Sequence, residues 1–161
     1  MGKIIFFLTK EVRPMLKVLN VAQYFLSLGS MKHKKLQKLC YYAQSWYLVL
    51  TGKRLMDTVF EAWVHGPVSP ELYVYYRDWG GLTIPQMPYT SKKIDEKTKN
   101  FLQLIYSMYK EYSADDLEKL THQEQPWKEA REGYPADSIC RVRIKEETMK
   151  QYYEGLLSNG K

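Results

Sequence analysis

From Leu36 to Leu50 the sequence places apolar residues at steps of three and four: Leu36, Leu39, Cys40, Ala43, Trp46, Tyr47 and Leu50. That spacing draws a single stripe along a helix. Tyr41, Tyr42, Leu48 and Val49 add apolar surface to the remaining sides, so neighbours must cover such a helix from several directions. Ser30 offers an N-cap upstream, and Thr51-Gly52 offers a stop downstream. The rest of the chain has to supply partners for this segment.

Most of those partners read as further helices. Val18, Val21, Ala22, Phe25 and Leu26 share one helical face that ends near Gly29. Ser69-Pro70-Glu71 combines an N-cap, a first-turn proline and an acid at a helix start, which predicts a short helix to about Trp79. A stripe of Phe101, Leu104, Ile105, Met108, Tyr109 and Tyr112 begins after Asp95, and Ser113 with Asp116 resembles a capping box for a helix to about Leu120. Thr121 and Glu124 repeat the capping-box spacing, although Pro126 obliges any helix there to start later or bend. The final helix is expected from Glu146 to Leu157, with Met149, Tyr152, Tyr153 and Leu156 inward. Two stretches alternate instead. Phe60, Ala62 and Val64 interleave with Glu61, Trp63 and His65, while Cys140, Val142 and Ile144 interleave with Ile139, Arg141 and Arg143. They are expected to pair with each other, with Glu61 opposite an arginine, and Gly66-Pro67 is expected to end the first strand. Gly80-Gly81, Pro85 and Pro88 mark an irregular connection to Ser91, the expected mobile loop. The fold class is therefore mainly α: one compact helical domain with a small two- or three-stranded antiparallel sheet. Met15-Leu16-Lys17 leads directly into the first helix, so residues 1–14 are read as a leader or extension and 15–161 as the domain.

Length and chemistry narrow the function. A chain of 161 residues can bury a sizeable core without disulfides or metals. Cys40 and Cys140 are far apart and in no ligand spacing, which suits reduced, buried thiols and a cytoplasmic location. The apolar runs Ile4 to Leu8 and Trp46 to Leu50 are too short for a membrane span, and no signal-peptide core is visible. His33, His65 and His122 are the three histidines, and none stands in a metal-binding pattern. No nucleophile elbow, phosphate loop or dinucleotide fingerprint occurs, so neither a catalytic residue nor a cofactor or metal is expected. A net charge of +6 admits nucleic acid as a partner, but the basic run Lys32, His33, Lys34, Lys35 and Lys38 reads first as the solvated start of a helix. The 14 tyrosines suit both core boundaries and protein contact surfaces.

Three segments carry something more specific. They are Leu36-Gln37-Lys38-Leu39-Cys40-Tyr41-Tyr42-Ala43-Gln44, the run from Phe60 to Tyr73 with Glu61, Trp63, Gly66, Pro67 and Val68 at fixed spacing, and Leu120-Thr121-His122 followed by Pro126-Trp127. In this order they resemble the Panacea antitoxin domain, the family of SocA-like antitoxins and phage-associated GepA proteins, over roughly Leu16 to Leu157. The resemblance implies an antitoxin that neutralises a cognate toxin by direct protein contact, without catalysis. For relatives that act as adaptors it also implies an AAA+ protease as a second partner. Glu61, Trp63, His65, Ser69, Glu71, Tyr73, His122 and Trp127 are the candidate partner-binding residues. Trp63 and His65 lie on the strand face opposite Phe60 and Ala62, where a sheet covered on one side would expose them. Gly66 and Pro67 have a turn role, and His122 with Trp127 also fits a packing corner. The alternative from another class is a winged-helix-like, nucleic-acid-binding transcriptional regulator, whose Lys32 to Lys38 run would touch phosphates.

Overall fold

Seven helices and two short antiparallel strand pairs make up the computed structural model, which describes residues 13–159. In chain order they are α1 (Val18–Leu28), β1 (Met31–Lys32), α2 (His33–Thr51), β2 (Glu61–Trp63), β3 (Gly66–Val68), α3 (Pro70–Tyr76) with a 3₁₀ turn (Arg77–Trp79), β4 (Thr83–Ile84), α4 (Glu96–Tyr109), α5 (Ala114–His122), α6 (Gln125–Ala130) and α7 (Glu146–Asn159). Residues 1–12 of the expected leader lie outside the described residues. Arg13 Nε reaches Asp95 Oδ2 at 3.1 Å, and Leu16 bridges Met56, so the start of the described chain is fastened to the domain. Among the described residues no helix is long and apolar enough to cross a membrane.

Helix α2 is the axis of the molecule. It contacts α1, α3, α4, α5, α7, β1 and β3, and every residue from Leu36 to Leu48 is buried. Covering a helix on all sides buries its polar residues too, and each must then find a partner. Gln44 solves this by bracketing the loop after α2: its Oε1 accepts from the backbone N–H of Leu55 (3.0 Å) and Met56 (2.9 Å), and its Nε2 donates to Met56 O (3.0 Å). Gln37 treats Ser69 in the same way, accepting from its N–H at 2.9 Å and donating to its carbonyl at 3.3 Å. The buried glutamines thus fix where two connections run.

The tyrosines of α2 meet the other helices through a buried carboxyl. Tyr42 and Tyr153 each donate to Glu124 Oε1 at 2.8 Å, Tyr153 also reaches Tyr41 Oη at 3.1 Å, and Trp46 Nε1 donates to Tyr109 Oη at 2.9 Å. The Tyr42 and Tyr109 rings stack at 4.3 Å. The tyrosine-rich composition thus serves both uses, since Tyr41, Tyr42, Tyr109 and Tyr153 belong to the core while Tyr73, Tyr75, Tyr112 and Tyr134 are exposed.

Several local expectations hold. Gly52 closes α2 in the left-handed region with its N–H on Leu48 O, Ser69 caps α3, and Ser113 forms a reciprocal capping box with Asp116. Others need correction. Ser30 is not the cap of α2, because Met31 and Lys32 are extended and pair with Ile84 and Thr83. That pairing lies in the connection expected to be mobile, which is also tied to α1 by Met87 N–H on Leu26 O (3.2 Å) and Gln86 Nε2 on Ser27 O (2.9 Å). Thr121 falls inside α5 and is not a cap, but the next helix does start later, as Pro126 required, with Glu124 as the N-cap of α6 and Pro126 in its first turn.

The main strand pairing differs as well. Gly66–Val68 does not end the sheet but forms β3, in register Glu61↔Val68, Ala62↔Pro67 and Trp63↔Gly66. Ala62 turns its N–H to Val142 O at 2.9 Å, away from β3. Ala62 and Pro67 are therefore a non-hydrogen-bonded pair, and the missing N–H of Pro67 removes no ladder bond. The distal segment takes the other edge of β2 as expected, but only briefly. It contributes the bridge Glu61↔Arg143 and the bond from Ile144 N–H to Phe60 O, with Glu61 opposite an arginine as the alternation suggested.

Burial raises the Glu124 carboxyl to about 7 against the hydrogen bonds from Tyr153 and Tyr42. A folded-state value above the unfolded one means that the fold binds the proton more tightly, so this contribution is complete below about pH 4.5 and fades as pH rises through about 7. Glu124→Gln keeps a buried amide able to accept from both tyrosines. Relative to the variant, the wild type should lose about 3 kcal/mol of stability between pH 4.5 and 8. Urea unfolding of both proteins across that range measures the difference, and parallel curves would contradict it.

Candidate functional site

The β2–β3 hairpin turns through Val64 and His65, and it can do so because Gly66 takes a positive φ of 107°. Gly66 sits directly on α2 and α5: a Cβ there would lie 2.6 Å from Lys38 Cε and 2.8 Å from Thr121 Oγ1. The hairpin is also gripped from behind. Trp127 Nε1 donates to Trp63 O at 2.8 Å, and the His122 ring stacks on Trp127 at 3.9 Å and hydrogen bonds to the Val64 backbone. Arg131, buried, donates to Ala62 O at 2.8 Å and, through its other terminal nitrogen, to the carbonyls of Pro135, Ala136 and Ser138. One guanidinium therefore joins β2 to the turn before Ile139.

In front of the hairpin lies a groove of about 390 Å³. Trp63, His65 and Tyr73 form one part of its lining, and Ile139, Cys140 and Arg141 another. The start of α2 supplies His33, Lys34, Gln37 and Lys38, and the 3₁₀ turn adds Arg77. The Trp63 ring packs edge-on against Tyr73 with centroids 4.9 Å apart, its Nε1 donates to Glu61 Oε1 at 2.8 Å, and the Arg141 guanidinium lies 5.5 Å above it. Tyr73 in turn stacks on His33 at 5.5 Å. Ile139 is 79 % exposed at the margin.

Of the eight residues expected to meet a partner, the structure brings Trp63, His65 and Tyr73 into the groove and Glu61 beside it. Glu71 is exposed on the first turn of α3, outside the groove lining. Ser69 is fully buried, with its hydroxyl 2.7 Å from that of Thr58, and is a structural cap. His122 and Trp127 support the hairpin from its rear and do not line the groove; His122 Nε2 is buried without a hydrogen-bond partner. Sequence reasoning missed the part played by His33, Lys38 and Ile139 to Arg141. The basic run did contain a signal, because Lys38 falls on the same stretch of α2 as the apolar stripe.

That run is solvated only in part: Lys32 is exposed and Lys34 and Lys35 half-buried, whereas His33 and Lys38 are buried. Lys34 Nζ lies 2.6 Å from both Asp115 and Glu118, Lys35 Nζ donates to the carbonyls of Lys110 and Tyr112, and Lys38 is only 1 % exposed. Burial drags the Lys38 ammonium down to about 7 and, with the Lys38 charge nearby, lowers His33 to about 4. Glu118 also holds His65 Nδ1 at 3.0 Å; burial pushes its carboxyl up, but Lys34 and His65 outweigh that and keep it at about 2.

A family model described as "Antitoxin SocA-like, Panacea domain" matches residues 36–128, a span running from α2 through the hairpin and α3 into α6. No curated protein and no solved structure matches the chain.

If the hairpin depends on the close seat of Gly66, then Gly66→Ala should destabilise the protein by about 2 kcal/mol through backbone strain and contact with Lys38. Gly52→Ala, also at positive φ but with nothing within 4 Å of the added methyl, should cost less. Chemical denaturation midpoints rank the two, and equal losses would show that the seat is not tight.

Proposed function

The chain belongs to the SocA-like Panacea antitoxin family, and on that premise we propose that it is the antitoxin of a toxin–antitoxin pair, binding a cognate toxin at the groove in front of β2 and β3. The observation that carries this reading is the pairing of an exposed apolar margin with a rigid support. Trp63 and Ile139 are presented on the hairpin and the turn that Trp127, His122 and Arg131 hold from behind, and Tyr73 on a helix whose start is fixed by Gln37 at Ser69. Aromatic groups fixed around a concave apolar surface are the usual energetic centre of a protein interface. Neutralisation then needs no catalysis by this chain, only occlusion of the toxin. Delivery to an AAA+ protease would be a second use of the same complex. Two buried, free thiols suit action in the cytoplasm.

The transcriptional-regulator reading draws less support. Phosphates would have to compete for Lys34 with Asp115 and Glu118 and for Lys35 with two carbonyls, and Lys38 is out of reach of a duplex.

Co-expression with the adjacent gene should relieve the toxicity of that gene, and the two proteins should co-purify. Tyr73→Ala and Ile139→Asp alter exposed groove positions and should each weaken the complex by at least about 2 kcal/mol, roughly thirtyfold; Ile139→Asp should leave the melting temperature unchanged, while Tyr73→Ala, which also removes ring contacts with Trp63 and His33, is scored on protein shown to be folded. A wild-type chain that neither rescues growth nor co-purifies removes the proposal, and retention on promoter DNA that falls steeply with salt would favour the regulator instead.

A further inference from the structure

The groove is apolar at its walls and cationic in its charge. Lys34, Lys38, Arg77 and Arg141 line it, and no Asp or Glu does. Lys34 is neutralised by Asp115 and Glu118, which lie outside the lining, but the others are not balanced in this way. Among the described residues Arg77 and Arg141 make no ion pair, Arg141 having only the Trp63 ring beneath it. Lys38 is the more telling. Its side-chain nitrogen sits almost entirely out of water and makes one hydrogen bond, to Pro67 O at 3.2 Å; because burial lowers it to about 7, near neutral pH it is only in part an ammonium, and an anion brought beside it would hold the proton there. Buried ammonium groups are ordinarily paired with an anion, and the nearby carboxyl of Glu118 is occupied by Lys34 and His65.

We propose that the groove takes a partner segment carrying a carboxylate next to a large apolar side chain, the carboxylate meeting Lys38 and Arg141 and the apolar group packing on Trp63, Tyr73 and Ile139. The proposal rests on the antitoxin reading in making that segment part of a toxin, and it adds the chemistry by which the segment is recognised. An entering carboxylate would supply Lys38 with the acceptor it lacks and would sit where the Arg141 guanidinium is already oriented by an aromatic face. Burial of both charges within the complex makes the contact selective, because a neutral isostere would leave the ammonium unpaired.

The simplest probe of this chemistry is N-acetyl-L-tryptophan, with its neutral relative N-acetyl-L-tryptophanamide as the comparison. Each is titrated into the full chain while the Trp63 indole N–H and the backbone amides of His65, Val68 and Cys140 are followed by NMR. The carboxylate probe should shift these signals saturably, and the amide should bind at least tenfold more weakly. Arg141→Gln, at an exposed position, should abolish the preference, and Lys38→Met should do the same if it folds. Equal binding of the two probes, or no shift at the groove with either, overturns the proposal. So does displacement of the same signals by a DNA duplex alone, or by self-association as protein concentration rises. Growth rescue is scored separately: Arg141→Gln that has lost the preference yet rescues fully removes the carboxylate contact and leaves the antitoxin standing. A wild type that prefers the carboxylate but never rescues keeps the groove's chemistry and removes the toxin as its source.

Discussion

Complete burial of α2 between Leu36 and Leu48 is the constraint from which the other features follow. A helix covered on every side has no solvent for its polar residues, so Gln37, Lys38 and Gln44 must bond to whatever packs on them. What packs on them includes the connections between elements. Gln44 takes three bonds from the 55–56 loop, Gln37 takes two from Ser69, and Lys38 takes Pro67. The hydrophobic requirement of one helix is in this way converted into the path of the chain around it. The hairpin, the start of α3 and the groove between them stand where they do because of side chains on α2.

The electrostatics follow the same logic. A chain with net charge +6 invites a search for a basic patch, and the sequence offers one at the start of α2. Folding turns that run inward: Lys34 joins α2 to α5, Lys35 ties α2 to the carbonyls that follow α4, and Lys38 reaches the hairpin. The positive charge that remains at the groove is small in amount and divided between the exposed Arg77 and Arg141 and the buried Lys38, which suits discrimination between partners better than general attraction to polyanions.

Features set by near neighbours in the chain were legible in the sequence. The α2 stripe, the left-handed stop at Gly52, the Ser69 cap with Pro70 and the Ser113 capping box each depend on residues within one or two turns of each other. Features set by distant contacts were not. Gly66-Pro67 looks like a strand breaker until the pairing reveals that the proline occupies a non-hydrogen-bonded position. Ser30 looks like a cap until β4, more than fifty residues later, draws Met31 and Lys32 into extended form. Half the site was visible for the same reason: Trp63, His65 and Tyr73 follow from strand alternation and a helix start. Lys38 and Ile139 to Arg141 join them only through packing, and the one local mark of Lys38's burial, its place along the apolar stripe of α2, is masked by the charged run around it. The family motifs located the hairpin but stop at residue 128, short of the far wall.

Arg131 stands just beyond that limit, and its four carbonyl contacts bear on how the groove would behave when met by a partner. One end of its guanidinium is fixed to β2 and the other to the turn that delivers Ile139 and Arg141, so the opposing walls share a single anchor. Separating these two parts of the lining would require breaking hydrogen bonds of that buried guanidinium. The cleft is thus preorganised, and little conformational entropy remains to be lost on association. Recognition would proceed as docking to a standing surface, with shape imposed by this chain and adaptation left to the molecule that enters.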